Sequence, residues 1–553
     1  MKKMLRTLLL CWAFCVCLAP AAFAKTILYV PADDRPVSLE YCVDTVKAAG
    51  FDILTPPVEN IAGRFRQGDP EKLWQWVKDN AGKADALVLS GDTLIYGGLV
   101  DSRVHDFASV LLEWRLKHFR ELRQAVPGVP LYVFNTVMRS PHASAGGVEP
   151  PYYEKYGPDI FTVTSLQDKA ETAGLSEEEK TRLRLAKARV PQEDMQDWLD
   201  RRAKNYKINE AMLGLTREKV VDFFILGRDD TSPFSQSHKE SRQLNKLAEN
   251  LTNQQYVSFP GADQLGILLL ARAYNHLAGQ TPKVAICYAF GSEGKTVASY
   301  EDQAVGRGII DHIIAAGGTV VRGGQPDLIL AVNTPLDGHT AEAEEFDNLP
   351  MVTASLRQFA GMVGKNIDGG RRVAVADIAF ANGADNSLMA ELGNEKLLDR
   401  LSAYSGWNTA SNTIGFAIGQ GMMASTTSDQ ERKRLLLVRY LEDWGYQANL
   451  RKEIYRETFL DSPGDPQQLG ALEQKITLAT EKKIRLFASQ YLWGEPERIH
   501  VSYPWSRMFE IGVSIDKTSK PVVKTEQASD KPVPLKIPPS APPGGLPDAS
   551  LAK

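Results

Sequence analysis

Residues 25–38 read KTILYVPADDRPVS, and how they are read decides the fold. An apolar, β-branched run (Ile27 to Val30) breaks at a proline, passes through Asp33, Asp34 and Arg35, and gives way to an amphipathic run ending at Gly50. A second short apolar run, Phe51 to Leu54, follows. Four to eight β-rich residues, a polar turn, a helical period and another β-rich run make a strand-helix-strand unit. About 250 residues later the outline returns: KVAICYAF at 283–290, a polar loop with Glu293, Glu301 and Asp302, an amphipathic run closing on Gly317-Gly318, then Thr319 to Val321.

The correspondence extends outward from this unit. DALVLSGDT (85–93) is matched by DLILAVNT (327–334), and PLYVFNT (130–136) by RVAVAD (372–377). Each run ends in an acid or an amide, as buried parallel strands do when a ligand site lies at their carboxyl ends. The expected fold class is therefore α/β: two doubly wound parallel-sheet lobes with a helical C-terminal region. A single (β/α) barrel is the alternative that the same alternation allows. An internal duplication accounts for the pairing, as does the general likeness of β-α units.

Boundaries follow from composition. Residues 1–24 carry Lys2, Lys3 and Arg6, an apolar stretch from Leu8 to Leu18 and the A-x-A ending Ala22-Phe23-Ala24, the pattern of a cleaved signal peptide. The expected organisation continues with an N-terminal α/β lobe over 25–280 that holds a charged helical insertion at 165–220. A second lobe over 281–430 and a helical region over 431–517 come next, then a proline-rich disordered tail over 518–553. Within the insertion, Ser176 followed by Glu179 reads as a capping box, and Asp263 reads as the N-cap of a helix.

Composition bounds the partners. The 553 residues are 43% hydrophobic and 24% charged with net charge -4, so nothing suggests a nucleic-acid partner. Three of five cysteines lie in the leader, which leaves Cys42 and Cys287 as expected free thiols rather than a disulfide. The expectation is an exported protein, periplasmic or extracellular, with no stable membrane anchor after cleavage. Its partner would be a small-molecule or carbohydrate ligand, and no cofactor is called.

The chemistry gathers where strands end: Asp33-Asp34-Arg35, Asp92, Asn135 with Arg139, Arg228-Asp229-Asp230, and Asp377 with Asn382 and Asp385. Asn333 and the Trp407-Asn408-Thr409 turn join them. Carboxylates that share a cleft split their pKa values, which equips one as acid and the other as base or nucleophile. That is what glycoside hydrolysis needs. The expected roles are Asp229 and Asp230 as catalytic carboxylates and Asp33, Asp34, Arg35, Asp92, Asn135, Arg228, Asp377 and Asn408 as substrate contacts, with Trp407 stacking on a sugar face. Each acid also has a structural reading as a helix cap, turn brace or ion-pair partner. The competing function is a two-lobed solute-binding protein that holds a ligand without turning it over. No metal is called: acids with Asn would suit Mg or Ca, yet no D-x-D-x-D-G spacing occurs and no His pair has zinc spacing. There is no G-x-S-x-G, and Gly291 to Gly294 do not make a dinucleotide fingerprint.

These motifs carry a family likeness. Pro31 to Pro36, Ser90-Gly91-Asp92, Tyr96 to Leu99, Gly227 to Asp230, Gly261-Ala262-Asp263, Tyr300-Glu301-Asp302 and Gly406 to Thr409 together resemble the bacterial family called domain of unknown function 4127. The resemblance covers nearly the whole chain between leader and tail. It implies that these loops form one site and implies no particular reaction.

Overall fold

The computed structural model describes residues 24–143, 147–289, 291–345, 347–460 and 463–516. The expected tail, and the leader apart from Ala24, lie outside the described residues. The chain opens with six parallel strands: β1 (Thr26–Val30), β2 (Asp52–Leu54), β3 (Ala86–Ser90), β4 (Leu131–Val137), β5 (Phe223–Arg228) and β6 (Tyr256–Pro260). They lie in the order β2-β1-β3-β4-β5-β6. A second parallel sheet uses β7 (Lys283–Tyr288), β8 (Thr319–Val320), β9 (Leu328–Asn333), β11 (Val373–Asp377) and β13 (Ala403–Ser405), in the order β13-β11-β9-β7-β8. Between these come β10 (Ala341–Glu342) and β12 (Phe380–Ala381), which pair in parallel. Read from its first strand, each sheet winds one way once and then the other way, so the second repeats the order of the first five strands. Both sheets are open, with edge strands on each side, and the barrel alternative does not form.

Side chains of the first sheet alternate with period two, as a pleated strand dictates. Leu28, Val30, Leu87, Leu89, Val133 and Leu226 enter a core beneath helices 70–80, 109–125 and 192–217. Ile27, Tyr29, Val88, Phe134 and Ile225 enter a second core that continues without a break into the other sheet. Two helices occupy the space between the sheets, Leu265–Leu277 and Ala410–Met423, and the latter is buried along its whole length. Glycines let these helices touch. A Cβ on Gly415 would sit 2.3 Å from Gln264 Cγ, and one on Gly419 would sit 2.8 Å from Ile267 Cγ1. The small-residue helix Ala410–Met423 thus packs against its neighbour, and the two sheets share one core.

The insertion is three helices, 153–172, 177–189 and 192–217, the second closed by the Ser176–Glu179 capping box. Among the described residues after 428 come three α-helices, 429–439, 451–459 and 473–491, a π-helix at Tyr440–Leu450 and short 3-10 turns. The described residues close with an antiparallel pair that the sequence reading did not foresee, β14 (Ile499–Ser502) with β15 (Gly512–Ile515). Tyr41 ties this pair to the first sheet's layer by accepting from the Val513 N–H at 3.0 Å. Both Cys42 and Cys287 are free thiols. Among the described residues no helix is long and apolar enough to cross a membrane.

Candidate functional site

At the carboxyl ends of β3, β4 and β5 four acids and two arginines interlock. Asp92, in the first turn of helix 91–96, accepts from the Thr136 backbone N–H at 2.8 Å and the Thr136 hydroxyl at 2.7 Å, both through Oδ2. Its Oδ1 is buried with no hydrogen-bond partner among the described residues. Burial pushes this carboxyl up to about 7, against the pull of the Thr136 hydrogen bonds. Asp229 forms an ion pair with Arg103. Asp230 faces the other way and pairs with Arg139 at 2.9 Å, while Glu149 accepts from Arg139 Nε at 2.5 Å and stands 3.7 Å from Arg103.

Asp230 is the open member of this cluster. Its side chain keeps 28% of its surface exposed, yet burial of the carboxyl and then the charge of Asp229 push it up to about 6. Its φ of 29° lies in the left-handed region, so strand β5 ends in a turn that aims two adjacent acids at different arginines.

A second set lies at the ends of β1 and β6. Arg35 is buried between Asp33 (2.8 Å) and Asp263 (2.6 Å), and Asn408 donates to Asp263 at 3.2 Å. Burial opposes a charged Asp263, but Arg35 outweighs it and holds the carboxyl below the usual range. Asp34 belongs to neither set. It pairs with Arg66 at 2.7 Å and accepts from the Trp505 indole N–H at 2.7 Å.

The loop after β7 joins the sheets. Its Asp302 takes Arg228, at the end of β5, in two hydrogen bonds of 2.7 and 2.8 Å. Glu301 is buried, accepts from the Ser411 N–H at 2.5 Å, and is pushed up to about 7 by burial. Tyr300 lies within electrostatic reach of Asp230 and donates to Glu342 at 3.0 Å. Glu342 in turn accepts from Asn382 at 2.8 Å, and the Asn382 N–H donates to the Asn408 carbonyl at 2.8 Å. Tyr300, Asn382 and Asn408 have φ of 66°, 55° and 57°, so left-handed backbone recurs along the path between the two charge sets.

The structure therefore gathers Asp92, Asp229 and Asp230 in one cluster and Asp33, Arg35 and Asn408 in another, with Arg228 on the connecting loop. Other expected contacts are placed elsewhere. Asn135 is buried and donates to Asn209 at 3.0 Å, which anchors β4 to helix 192–217. Asp377 is buried beside Asp385, with Asn333 donating to both at 2.9 and 3.0 Å and Tyr404 donating to Asp377 at 3.0 Å. Trp407 is fully buried against Phe509, so neither ring face is open to a sugar, and the stacking role is corrected. Asp263 is not the cap residue: helix 265–277 is preceded by Gln264 at that position, and the acid is drawn to Arg35. Arg103 and Glu149, which complete the main cluster, were not singled out. The available signal was an arginine in the short helix Asp101–Val104 that follows β3 and an acid in the loop that follows β4. Among the described residues no group of three or more His, Cys, Asp or Glu side chains is arranged to hold a metal ion.

Fold and site together define an α/β protein of two doubly wound sheets on a shared core, with charged loops meeting at the strand carboxyl ends. The chain belongs to the family described as protein of unknown function (DUF4127), whose model matches residues 27–514. No curated protein and no solved structure matches it.

Proposed function

We propose that this chain is an exported hydrolase acting on a glycosidic bond, with Asp229 and Asp230 as its reacting carboxyls. The observation that carries this reading is the unlike surroundings of two consecutive acids at the end of β5. Asp230 pairs with Arg139, keeps 28% of its side chain exposed against 13% for Asp229, and has its carboxyl pushed up to about 6 by burial and the charge of Asp229, while Asp229 is held in an ion pair with Arg103. Environments that differ in this way equip one acid to give a proton and the other to take one. Asp230 donates its proton to the leaving oxygen as the C–O bond breaks, and Asp229 accepts a proton from the water that attacks the anomeric carbon. Arg139 contacts Asp230, and Asp92 and Tyr300 lie within electrostatic reach of Asp229 and Asp230 respectively.

A second reading, binding without turnover, is favoured by the arginine partner on each reacting acid. Asp230→Asn separates the two. A panel of chromogenic glycosides is assayed against the purified protein, and ligand affinity is measured alongside. Turnover is expected to fall by roughly 100-fold or more with affinity unchanged. The wild-type rate should decline as pH rises through about 6, since the proton donor is then lost. Turnover unaffected by Asp230→Asn rejects the assigned role, and tight binding of a glycoside with no product from any member of the panel establishes the binding reading instead.

A further inference from the structure

Trp407 is buried and cannot carry a sugar, but an open aromatic ring does stand beside Asp230, brought there by the loop that follows β7. Tyr300 is tied at both ends. Its carbonyl accepts from the N–H of Thr231, the residue after Asp230, at 3.1 Å, and its hydroxyl donates to Glu342, the last residue of β10, at 3.0 Å. Asn382, directly after β12, donates to the other oxygen of that carboxylate at 2.8 Å. Tyr300 nevertheless stays 44% exposed, and among the described residues no other ring and no cation stacks on it.

A tyrosine at the surface needs no explanation by itself. One held at φ 66° does, because left-handed backbone is an outlier for a residue of this bulk and persists only where surrounding contacts impose it. Here those contacts fix an open ring next to the more open of the two reacting acids, and a ring fixed in advance loses little freedom when a ligand packs on it.

The groups beyond the ring are acceptors. Asn382 and Asn408 each use their amide N–H on a carboxylate, Glu342 and Asp263. Both side chains are half-buried, and each keeps a carbonyl oxygen with no hydrogen-bond partner among the described residues. The Asn382 backbone N–H donates to the Asn408 carbonyl at 2.8 Å, so the two residues are neighbours. An aromatic ring, two amide oxygens and nearby carboxylates offer apolar contact to C–H groups and acceptors to hydroxyls, and they repel an anion.

We propose that Tyr300 seats the substrate: its ring carries an uncharged sugar ring beside Asp230, and the sugar's hydroxyls donate to the amide oxygens of Asn382 and Asn408. This inference rests on the hydrolase reading for the bond that is cleaved, and it adds to that reading the seating residue and the class of sugar. Tyr300 moves no proton, so its ring matters to the substrate and its hydroxyl only to the tie with Glu342.

The test uses the full chain with the 4-nitrophenyl glucosides and galactosides of both anomers and the matching glucuronides and galacturonides. The neutral glycosides are expected to be turned over and the uronides not. Tyr300→Ala should raise KM about tenfold with kcat little changed. Tyr300→Phe, which keeps the ring and loses the bond to Glu342, should lower the thermal midpoint yet retain the wild-type KM. A Tyr300→Ala enzyme with wild-type KM, or a Tyr300→Phe enzyme as impaired in KM as Tyr300→Ala, overturns the seat and leaves the hydrolase reading standing. Uronides turned over as well as the neutral sugars overturn the sugar class. Binding of a neutral glycoside that yields no product, weakened by Tyr300→Ala in isothermal titration, removes the hydrolase reading and keeps the seat; no binding and no product from any of these compounds overturns the seat.

Discussion

The carboxyl edges of the two sheets are built on the same strand order and are furnished in opposite ways. In the first sheet the strand ends are held by charge: Arg35, after β1, sits between Asp33 and Asp263, and Arg103 and Arg139 lock Asp229, Asp230 and Glu149. In the second sheet the switch between β7 and β9 is an open cavity, and the neighbouring acids Asp377 and Asp385 are held by an amide, Asn333, with no arginine in ion-pair contact among the described residues. Equal topology brings equal strand ends together. What those ends do is decided by the loop residues: arginines pair the acids after β1 and β5, an amide holds those after β11, and the acid after β7, Asp302, takes its arginine, Arg228, from the first sheet.

The sharpest way to break this contrast is to remove the arginine that closes the first edge. Arg35→Ala leaves Asp33 and Asp263 buried without their cation, and uncompensated buried charge of this kind costs about 3–5 kcal/mol. Urea unfolding at neutral pH should show that loss as a lowered midpoint. A midpoint within experimental error of the wild type would mean that the edge is hydrated and open rather than closed by the ion pair.

A smaller effect is expected at Asp92, where the first edge has a buried acid with no arginine in hydrogen-bond contact and so behaves like the second edge. Its folded carboxyl titrates at about 7 against an ordinary value of 3.8. The protonated form is therefore the one that the fold favours: its stabilisation is complete below about pH 4 and is lost as pH rises through 7. Asp92→Asn keeps the acceptor for Thr136 and places an amide where Oδ1 has no partner. Relative to wild type it should be near neutral at pH 4 and gain on the order of 2–4 kcal/mol at pH 8, read from thermal midpoints across that range. A constant difference between the two proteins at all pH values would remove Asp92 from the titrating groups.

Much of this fold is legible in the chain because its strands are buried on both faces. Val221 to Leu226 or Ala86 to Ser90 cannot be mistaken for an amphipathic helix, and each hands over to a polar residue that marks a carboxyl end. The acids Asp92, Asp229 and Asp230 were legible as a group for that reason. Asp263 was misread because a local capping pattern carries no information about Arg35, its partner 228 positions away. Trp407 looked like a sugar platform beside Asn408, and its burial depends on Phe509 from the far end of the chain. Arg103 and Glu149 were not singled out, because nothing in their local sequence ties them to Asp229 and Asp230, which β5 delivers beside them. The pair β14 and β15 escaped notice since four-residue strands amid helices lack a periodic signal long enough to count.

The smallest effects test whether the contrast between the edges sits on a shared core or on two independent bodies. Gly419, in the helix between the sheets, has no room for a side chain: a Cβ there would lie 2.8 Å from Ile267 Cγ1 and 3.1 Å from the Ile267 carbonyl. Gly361, in helix 354–368 on the outside of the second sheet, meets nothing within 4 Å. Alanine favours helix over glycine by about 1 kcal/mol at an unhindered position, whereas overpacking a tight contact costs about 1–3 kcal/mol. Gly361→Ala should therefore raise the thermal midpoint and Gly419→Ala should lower it, although both changes add one methyl group to a helix. Because the contact at Gly419 joins helix 410–423 to helix 265–277, its loss should lower the midpoint of one unfolding transition rather than separate two. Calorimetric traces that resolve into two transitions in Gly419→Ala would show that each sheet stands on its own core, and the furnishing of one edge could then not constrain the other.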